Sequence, residues 1–192
     1  MRTLTGAFAA LAPLRVHAAL FALAVGVMLT PGCGDDEESK DRDTLQIPGY
    51  AAPESLVQSI AVIYNTGLEH SSGERLRAYE SLFDPEFLFR FVPEDIANGS
   101  PRSWGLTEEL AAHAGLFESQ ERGEIYSLNL DVQWEPATDL TPPQAGREGW
   151  KEVLANSISM RLMFGPKDGL EITSMQSRFI AKPAGGRWYL VD

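Results

Sequence analysis

Few residues in this chain have side chains suited to catalysis. Apart from carboxylates, the candidates are one cysteine, Cys33, and three histidines, of which His113 is placed best. His113 lies three residues after Leu110 and four before Phe117, so helical spacing puts it on an apolar face that should point inward. An imidazole there can bind a ligand or transfer a proton. The alternative is a structural histidine whose ring is satisfied by hydrogen bonds.

Three further residues are candidates for the wall of a pocket. Asn156 interrupts the apolar face of a predicted strand, and a buried amide needs a hydrogen-bond partner. It therefore marks either a polar spot in a pocket or a contact with a neighbouring loop. Tyr64 and Trp104 are candidate aromatic wall residues, with core packing as the alternative. Together with His113 they form the predicted pocket set, and none of the four is assigned a catalytic role.

No complete catalytic or cofactor motif is present. The sequence has no HExxH motif, no paired spacing of metal ligands and no glycine-rich loop that opens a helix. We therefore predict no metal and no cofactor. Whether the chain is an enzyme is left open, with a noncatalytic protein favoured.

The charge of the chain excludes one class of partner. The net charge is −11, and it becomes −13 without residues 1–32, which contain Arg2 and Arg15 and no acid. Nucleic-acid affinity comes largely from Lys and Arg that displace counterions from phosphates. We therefore predict that the protein binds no nucleic acid.

The N-terminal region has the pattern of an export signal. Residues 18–29, "AALFALAVGVML", are an apolar run of signal-peptide length, whereas a membrane-spanning helix needs about 20 residues. The segment that follows, Thr30 to Cys33, resembles the lipobox of bacterial lipoproteins. Gly32 and Cys33 match it, while Thr30 stands where leucine is usual. The alternative is an ordinary secretory peptide with an incidental cysteine.

The resemblance to lipoproteins implies an address for the protein. Residues 1–32 would be a lipoprotein signal peptide, and Cys33 would carry lipid that holds the protein in a membrane. Residues 33–53 are predicted to be an acidic flexible tether, because residues 34–43 contain no large apolar side chain. Gly34 directly after the cysteine implies an exported protein of the cell envelope, anchored in the outer membrane and facing the periplasm.

From residue 54 the chain reads as helices followed by strands. Apolar spacing predicts one helix that starts near Pro53, a second with Ser72 as a candidate N-cap, and a third capped by Thr107. "FLFRFV" predicts a short strand. From residue 124 the period is two: "IYSLNLDVQW" and "WKEVLANSISMRLMF" alternate, the second through Trp150, Leu154, Ile158, Met160, Leu162 and Phe164. This order predicts an α+β fold.

Residues 54–192 resemble the nuclear transport factor two-like superfamily, which includes SnoaL-like proteins and ketosteroid isomerase. The resemblance rests on the order of the elements and on "LVQSIAVIYNTG" leading to "YESLFDPEF". It implies a cone-like curved antiparallel sheet packed against three N-terminal helices around a pocket. The isomerase's oxyanion-binding tyrosine and catalytic aspartate would fall on Ile60 and Phe91, which argues against that reaction.

Three functions remain open at this stage. The first is a noncatalytic, lipid-anchored domain that binds a small apolar ligand or an envelope protein partner. The second is a SnoaL- or dehydratase-like enzyme acting on a small hydrophobic substrate, with His113 and an acid from the sheet. The third is a structural module that associates with itself, for example as a homodimer. We favour the first.

Overall fold

The computed structural model describes residues 45–91, 93–97, 99, 101–174 and 176–192. Cys33, the predicted signal peptide and most of the predicted tether lie outside these residues. Within the described residues, no helix combines the length and the apolar character needed to cross a membrane.

In the described part of the chain, four helices precede the long strands. They are α1 Pro53–Asn65, α2 Ser72–Glu80, α3 Pro93–Ala97 and α4 Leu106–Glu121, with a short 3₁₀ turn at Gly67–Glu69. α1 starts with a proline, which the first turn tolerates because its N–H has no helical partner. Helical spacing puts Leu56, Ile60 and Ile63 on its buried face. The three long helices match the three predicted from apolar spacing.

The caps of α2 and α4 differ from the predicted ones. Ser71, not Ser72, is the N-cap of α2, and it forms a reciprocal capping box with Glu74. Thr107 is not a cap, because α4 already begins at Leu106. Strand β2 runs directly into this helix, and the Glu108 carboxylate accepts a hydrogen bond from the Gly105 N–H at 3.0 Å.

The described residues contain eight strands, which form two sheets. The strands are β1 Leu88–Arg90, β2 Ser103–Gly105, β3 Ser127–Trp134, β4 Thr138–Asp139, β5 Lys151–Met163, β6 Gly169–Ser174, β7 Ser177–Ala184 and β8 Arg187–Leu190. β1 and β2 pair with each other. The other six form one antiparallel sheet in the order β3, β5, β7, β8, with β4 and β6 also beside β5.

A bulge in β5 gives the sheet its bend. Gln133 lies opposite Ser157 and Trp134 lies opposite Ala155, so Asn156 is an extra residue. The extra residue changes which side chains face inward: Val153 and Ala155 are buried before it, and Met160 and Leu162 after it. The predicted alternation through Leu154 was therefore wrong in the first half of β5. Beyond β5, the break between β6 and β7 lies at the same level as the bulge.

One continuous apolar core joins the helices to the sheet. Its buried residues come from α1, α2, α4 and the inner face of the sheet, among them Leu56, Ile63, Phe117, Leu128 and Leu162. All of them come from residues 45–192, so this region carries an apolar core of its own. The predicted α+β class, a curved antiparallel sheet packed against three N-terminal helices, is confirmed.

The last part of the predicted tether packs on the domain. The Trp188 N–H donates to the Tyr50 carbonyl at 3.1 Å, and the hydroxyls of Tyr50 and Ser81 are 2.7 Å apart. Leu45 and Ile47 are partly buried against the core. These apolar side chains explain why the packed region includes residues 45–52, which composition alone had placed in the tether.

Candidate functional site

Two of the four predicted pocket residues lie together. Tyr64, near the end of α1, packs edge-on against His113 of α4, with ring centroids 5.7 Å apart. Trp104 instead belongs to a separate aromatic group with Phe89 and Phe91 on the small sheet. Asn156 is exposed at the β5 bulge, where its amide donates to Glu135 at 3.0 Å. The four residues therefore do not line one pocket.

The centre of the helical layer is a buried group of polar and aromatic side chains, Tyr79, Glu109 and His113. The Tyr79 hydroxyl donates a 2.6 Å hydrogen bond to the Glu109 carboxyl group. The His113 ring stacks on Tyr79, with centroids 4.1 Å apart, and its Nδ1 lies 3.5 Å from Glu109 Oε1. We call this set the Tyr79–Glu109–His113 cluster. It ties α2 to α4.

Surroundings of low polarity control how the cluster ionises. Burial lowers the pKa of His113 below its ordinary value, although the nearby Glu109 opposes this. Burial also raises the pKa of Tyr79 well above its usual range, and Glu109 adds to the effect. His113 Nδ1 is 2.8 Å from the Glu109 backbone carbonyl, which can only accept, so Nδ1 carries the proton. The neutral ring therefore has its lone pair on Nε2.

Arg75 is the largest of the completely buried side chains, and it joins three helices. Its guanidinium donates to the carbonyls of Ile63 and Tyr64 at the end of α1, at 3.1 and 3.2 Å. It also donates to the Gln120 side chain of α4 at 2.7 Å, and it lies 4.2 Å from the centre of the Phe117 ring. Burial lowers the pKa of Arg75 to about 10, so it stays charged at neutral pH.

The sequence analysis missed Arg75, Tyr79 and Glu109. For Glu109 a signal was available, because it precedes His113 by four residues and so shares its helical face. Nothing in the sequence separates Arg75 from the exposed Arg77 two residues later. The acid beside His113 was expected from the sheet, but it comes from the same helix.

Two concave regions stand out on the surface of residues 45–192, and neither contains the Tyr79–Glu109–His113 cluster. The first is a groove of about 450 Å³ between the N-terminal segment and α1, with Leu45, Val62 and His70 among its lining residues. The second, of about 510 Å³, lies on the polar outer face of the sheet beside Asp131, Arg161 and Glu171. A general base needs a substrate within hydrogen-bond reach. Neither groove therefore brings a ligand to the Tyr79–Glu109–His113 cluster.

The described residues contain no group of three or more His, Cys, Asp or Glu side chains arranged to hold a metal ion. The two positions that matched the isomerase's functional residues, Ile60 and Phe91, are buried apolar side chains.

One end of the large sheet exposes three large apolar side chains. Tyr126 precedes β3, Phe164 follows β5 and Leu170 lies in β6, with exposed fractions of 66%, 51% and 40%. Ser127 is paired with Met163, and Leu162 is paired with Leu170, so all three lie at the same end. We call this the apolar sheet end. It was not predicted as a site, because a strand pattern does not show where the helices stop covering the sheet.

Comparisons with known proteins give structural similarity only. No protein-family profile matches the sequence, and no curated protein is significantly similar to it. One similar structure is a protein of Xanthomonas campestris, assigned provisionally as a calcium/calmodulin dependent protein kinase II association domain. It has 8% identity, a TM-score of 0.46, and coverage of 77% of this chain and 91% of that one.

Two other structures are similar at the same level. Aln2 from a Streptomyces species has 11% identity and a TM-score of 0.44, over 76% of this chain and 90% of its own. A protein of Novosphingobium aromaticivorans, assigned provisionally as an aromatic ring hydroxylase, has 13% identity and a TM-score of 0.44, over 71% and 82%. Similarity at this level is too low to transfer a ligand or an activity.

Proposed function

We propose that this chain is an exported, lipid-anchored protein whose nuclear transport factor two-like domain binds an envelope protein partner without catalysis. Cys33 is the attachment point for lipid, and the acidic residues after it hold the domain clear of the membrane. The partner contacts the apolar sheet end. The observation that carries the proposal is the joint exposure of Tyr126, Phe164 and Leu170 at one end of the large sheet.

The exposure of these side chains favours a protein partner. Two of the three are aromatic, and aromatic residues are enriched at the centres of protein interfaces. Together with the half-exposed end of the inner sheet face, they form a contiguous apolar surface, and such surfaces on soluble domains mark interaction sites. The described N-terminal segment packs away from this surface, since its Tyr50 contacts Ser81 and Trp188 of β8.

The packing of the core argues against a function in which the domain binds a small apolar ligand. The space that a cone-type fold would offer to a ligand holds the domain's own side chains: Leu56, Ile60 and Ile63 of α1 belong to one cluster with Leu130 and Met160 of the sheet. The two surface grooves are open and lie apart from this interior. A small apolar ligand would have to displace core side chains.

The experiment compares affinity isolation of three forms of the protein from solubilised envelopes. Wild type is set beside Tyr126→Ser with Phe164→Ser, and beside a control with Asn129→Ala and Gln133→Ala on the exposed outer face of β3. We expect one or a few envelope proteins to be enriched with wild type and the control, and lost with the first double variant. Equal enrichment with all three forms would overturn the proposal.

A further inference from the structure

Within the described residues, the outer edge of β6 is an open edge of the large sheet. In the described part of the chain, β6 pairs with β5 alone. The edge of β8 is occupied by the segment from Leu82 to Leu88, through bonds such as Asp84 N–H to Leu190 carbonyl at 2.8 Å. On β3, the Asn65 side chain occupies the outward N–H and carbonyl of Leu130. An edge strand with unpaired backbone groups is a template for another strand.

The pairing pattern shows which backbone groups of β6 face outward. Leu130 bonds to Asn65, so its N–H and carbonyl point away from β5, and its pair with Met160 is a non-hydrogen-bonded one. Met160 therefore points toward β6 and bonds Ile172, its partner there. The residues on either side of Ile172 then present their N–H and carbonyl groups outward. These are Glu171 and Thr173.

We infer that β6 pairs with β6 of a second copy of this chain, antiparallel and across a two-fold axis at Ile172. A symmetric register must place outward-facing residues opposite each other. A register centred on Glu171 would put two acids in direct opposition. The register centred on Ile172 puts Glu171 opposite Thr173 of the other copy, twice, and brings the two Ile172 side chains together on the apolar face.

The side chains around this edge suit the register. Leu170, 40% exposed in the single chain, becomes flanked by the added strand on the apolar face. On the polar face, the Glu171 carboxylate already accepts from Ser159 at 2.9 Å and lies 3.5 Å from Arg161, which leaves Thr173 free to face it across the interface. The inference does not require the partner proposed above, since it rests on the backbone of β6, but Leu170 belongs to both surfaces.

The acidic character of the chain sets the salt dependence of this dimer. Two copies that each carry an excess of acids repel one another, and salt screens that repulsion. The dimer should therefore tighten as salt is raised. A cationic strand bound at the same edge would instead bind more weakly as salt is raised, because salt screens its attraction to the acidic chain.

The test is analytical ultracentrifugation of residues 34–192 with variants at the exposed Thr173. Thr173→Pro removes an outward N–H that β5 does not use, and should abolish the dimer while the thermal transition persists. Thr173→Lys should lower the dissociation constant of the dimer and Thr173→Glu should raise it, each by about tenfold. Position 173 faces Glu171 of the other copy, and this cross-strand pair occurs twice in the dimer.

Three results would overturn the inference. One is a wild type that stays monomeric at high protein concentration and high salt. Another is a dimer that Thr173→Pro leaves intact. The last concerns the three residues compared at position 173. If the dimer is not strongest with Lys, weaker with Thr and weakest with Glu, then Glu171 does not face that position.

Discussion

The side chain of Asn65 forms two hydrogen bonds with the backbone of Leu130, both 2.8 Å long. Asn65 is the last residue of α1, and Leu130 lies in the middle of β3. The amide oxygen accepts the Leu130 N–H, and the amide nitrogen donates to the Leu130 carbonyl. In this way the end of the first helix fixes the position of the sheet and closes the centre of one of its edges.

Replacing Asn65 should loosen this connection. We expect Asn65→Ala to lower the free energy of unfolding by about 1–2 kcal/mol, because two backbone groups at a partly buried position lose their partner. Urea denaturation of residues 34–192 measures the change. The matched control is Asn129→Ala on the exposed face of β3, with an expected change below about 0.5 kcal/mol. Similar losses for both variants would show that the Asn65 bonds contribute little.

Arg75 should contribute far more to stability than its exposed neighbour Arg77. Arg75→Met should lower the free energy of unfolding by about 3 kcal/mol, since it leaves buried acceptors on Ile63, Tyr64 and Gln120 without a donor. Arg77→Met on the same helix should change it by less than about 0.5 kcal/mol. Chemical denaturation compares the two, and a loss of under about 1 kcal/mol for Arg75→Met would contradict this account.

The stability of the domain should depend on His113 below neutral pH. Burial lowers the pKa of His113 below its ordinary value of 6.5, so the unfolded chain binds the proton more readily than the folded one. Its contribution is therefore complete above about pH 6.5 and is lost as the pH falls through that value toward the lowered pKa. His113→Phe keeps a ring next to Tyr64, Tyr79 and Phe117 but cannot take up a proton.

The pH dependence is measured by thermal unfolding of wild type and His113→Phe between pH 8 and pH 5. Both forms lose stability from other groups, so the difference between them is the readout. We expect the unfolding temperature of wild type to fall relative to that of the variant as the pH is lowered, while the difference between them stays constant above pH 7. Parallel profiles over the whole range would show that the folded protein does not resist protonation of His113.

Lipid attachment at Cys33 is the expectation on which the location of the protein depends. Cys33→Ser should move the protein from the membrane fraction to the soluble fraction of the producing cells and abolish the incorporation of labelled fatty acid. Thr30→Leu, which brings the segment closer to the usual lipobox, should leave the protein in the membrane. If the Cys33→Ser protein remained in the membrane and carried label, the anchor would have to lie elsewhere.

Periodicity predicted the elements of this fold well. Helical spacing identified α1, α2 and α4. The alternation around β3 put Tyr126, Leu128, Leu130, Val132 and Trp134 on one face, and the three in the middle of this set are buried. The bulge at Asn156 could not be predicted, because an inserted residue changes the face of a strand without a change in composition. Asn156, a polar residue on the apolar face, was predicted to mark either a pocket or a contact with a neighbouring loop. It marks the irregularity itself, and its amide donates to Glu135, just beyond the end of β3.

The candidate site was less accessible from sequence than the fold. Contacts such as Tyr79 with Glu109 join residues 30 positions apart, and their meeting depends on how α2 packs on α4. The burial of Arg75 depends on the carbonyls at the end of α1 that have no partner within that helix, which no pattern of Arg75's own helix reveals. Likewise, the exposure of Tyr126 follows from where α1 ends above the sheet.

Photo-crosslinking in intact cells tests the central claim, that the apolar sheet end contacts a protein partner. A photoreactive phenylalanine analogue replaces Tyr126 in one form of the full chain and Gln133, exposed on the outer face of the same strand, in the other. We predict a discrete crosslinked product of higher mass from position 126 and none from position 133. An absence of product at position 126, or equal products at both positions, would contradict the claim.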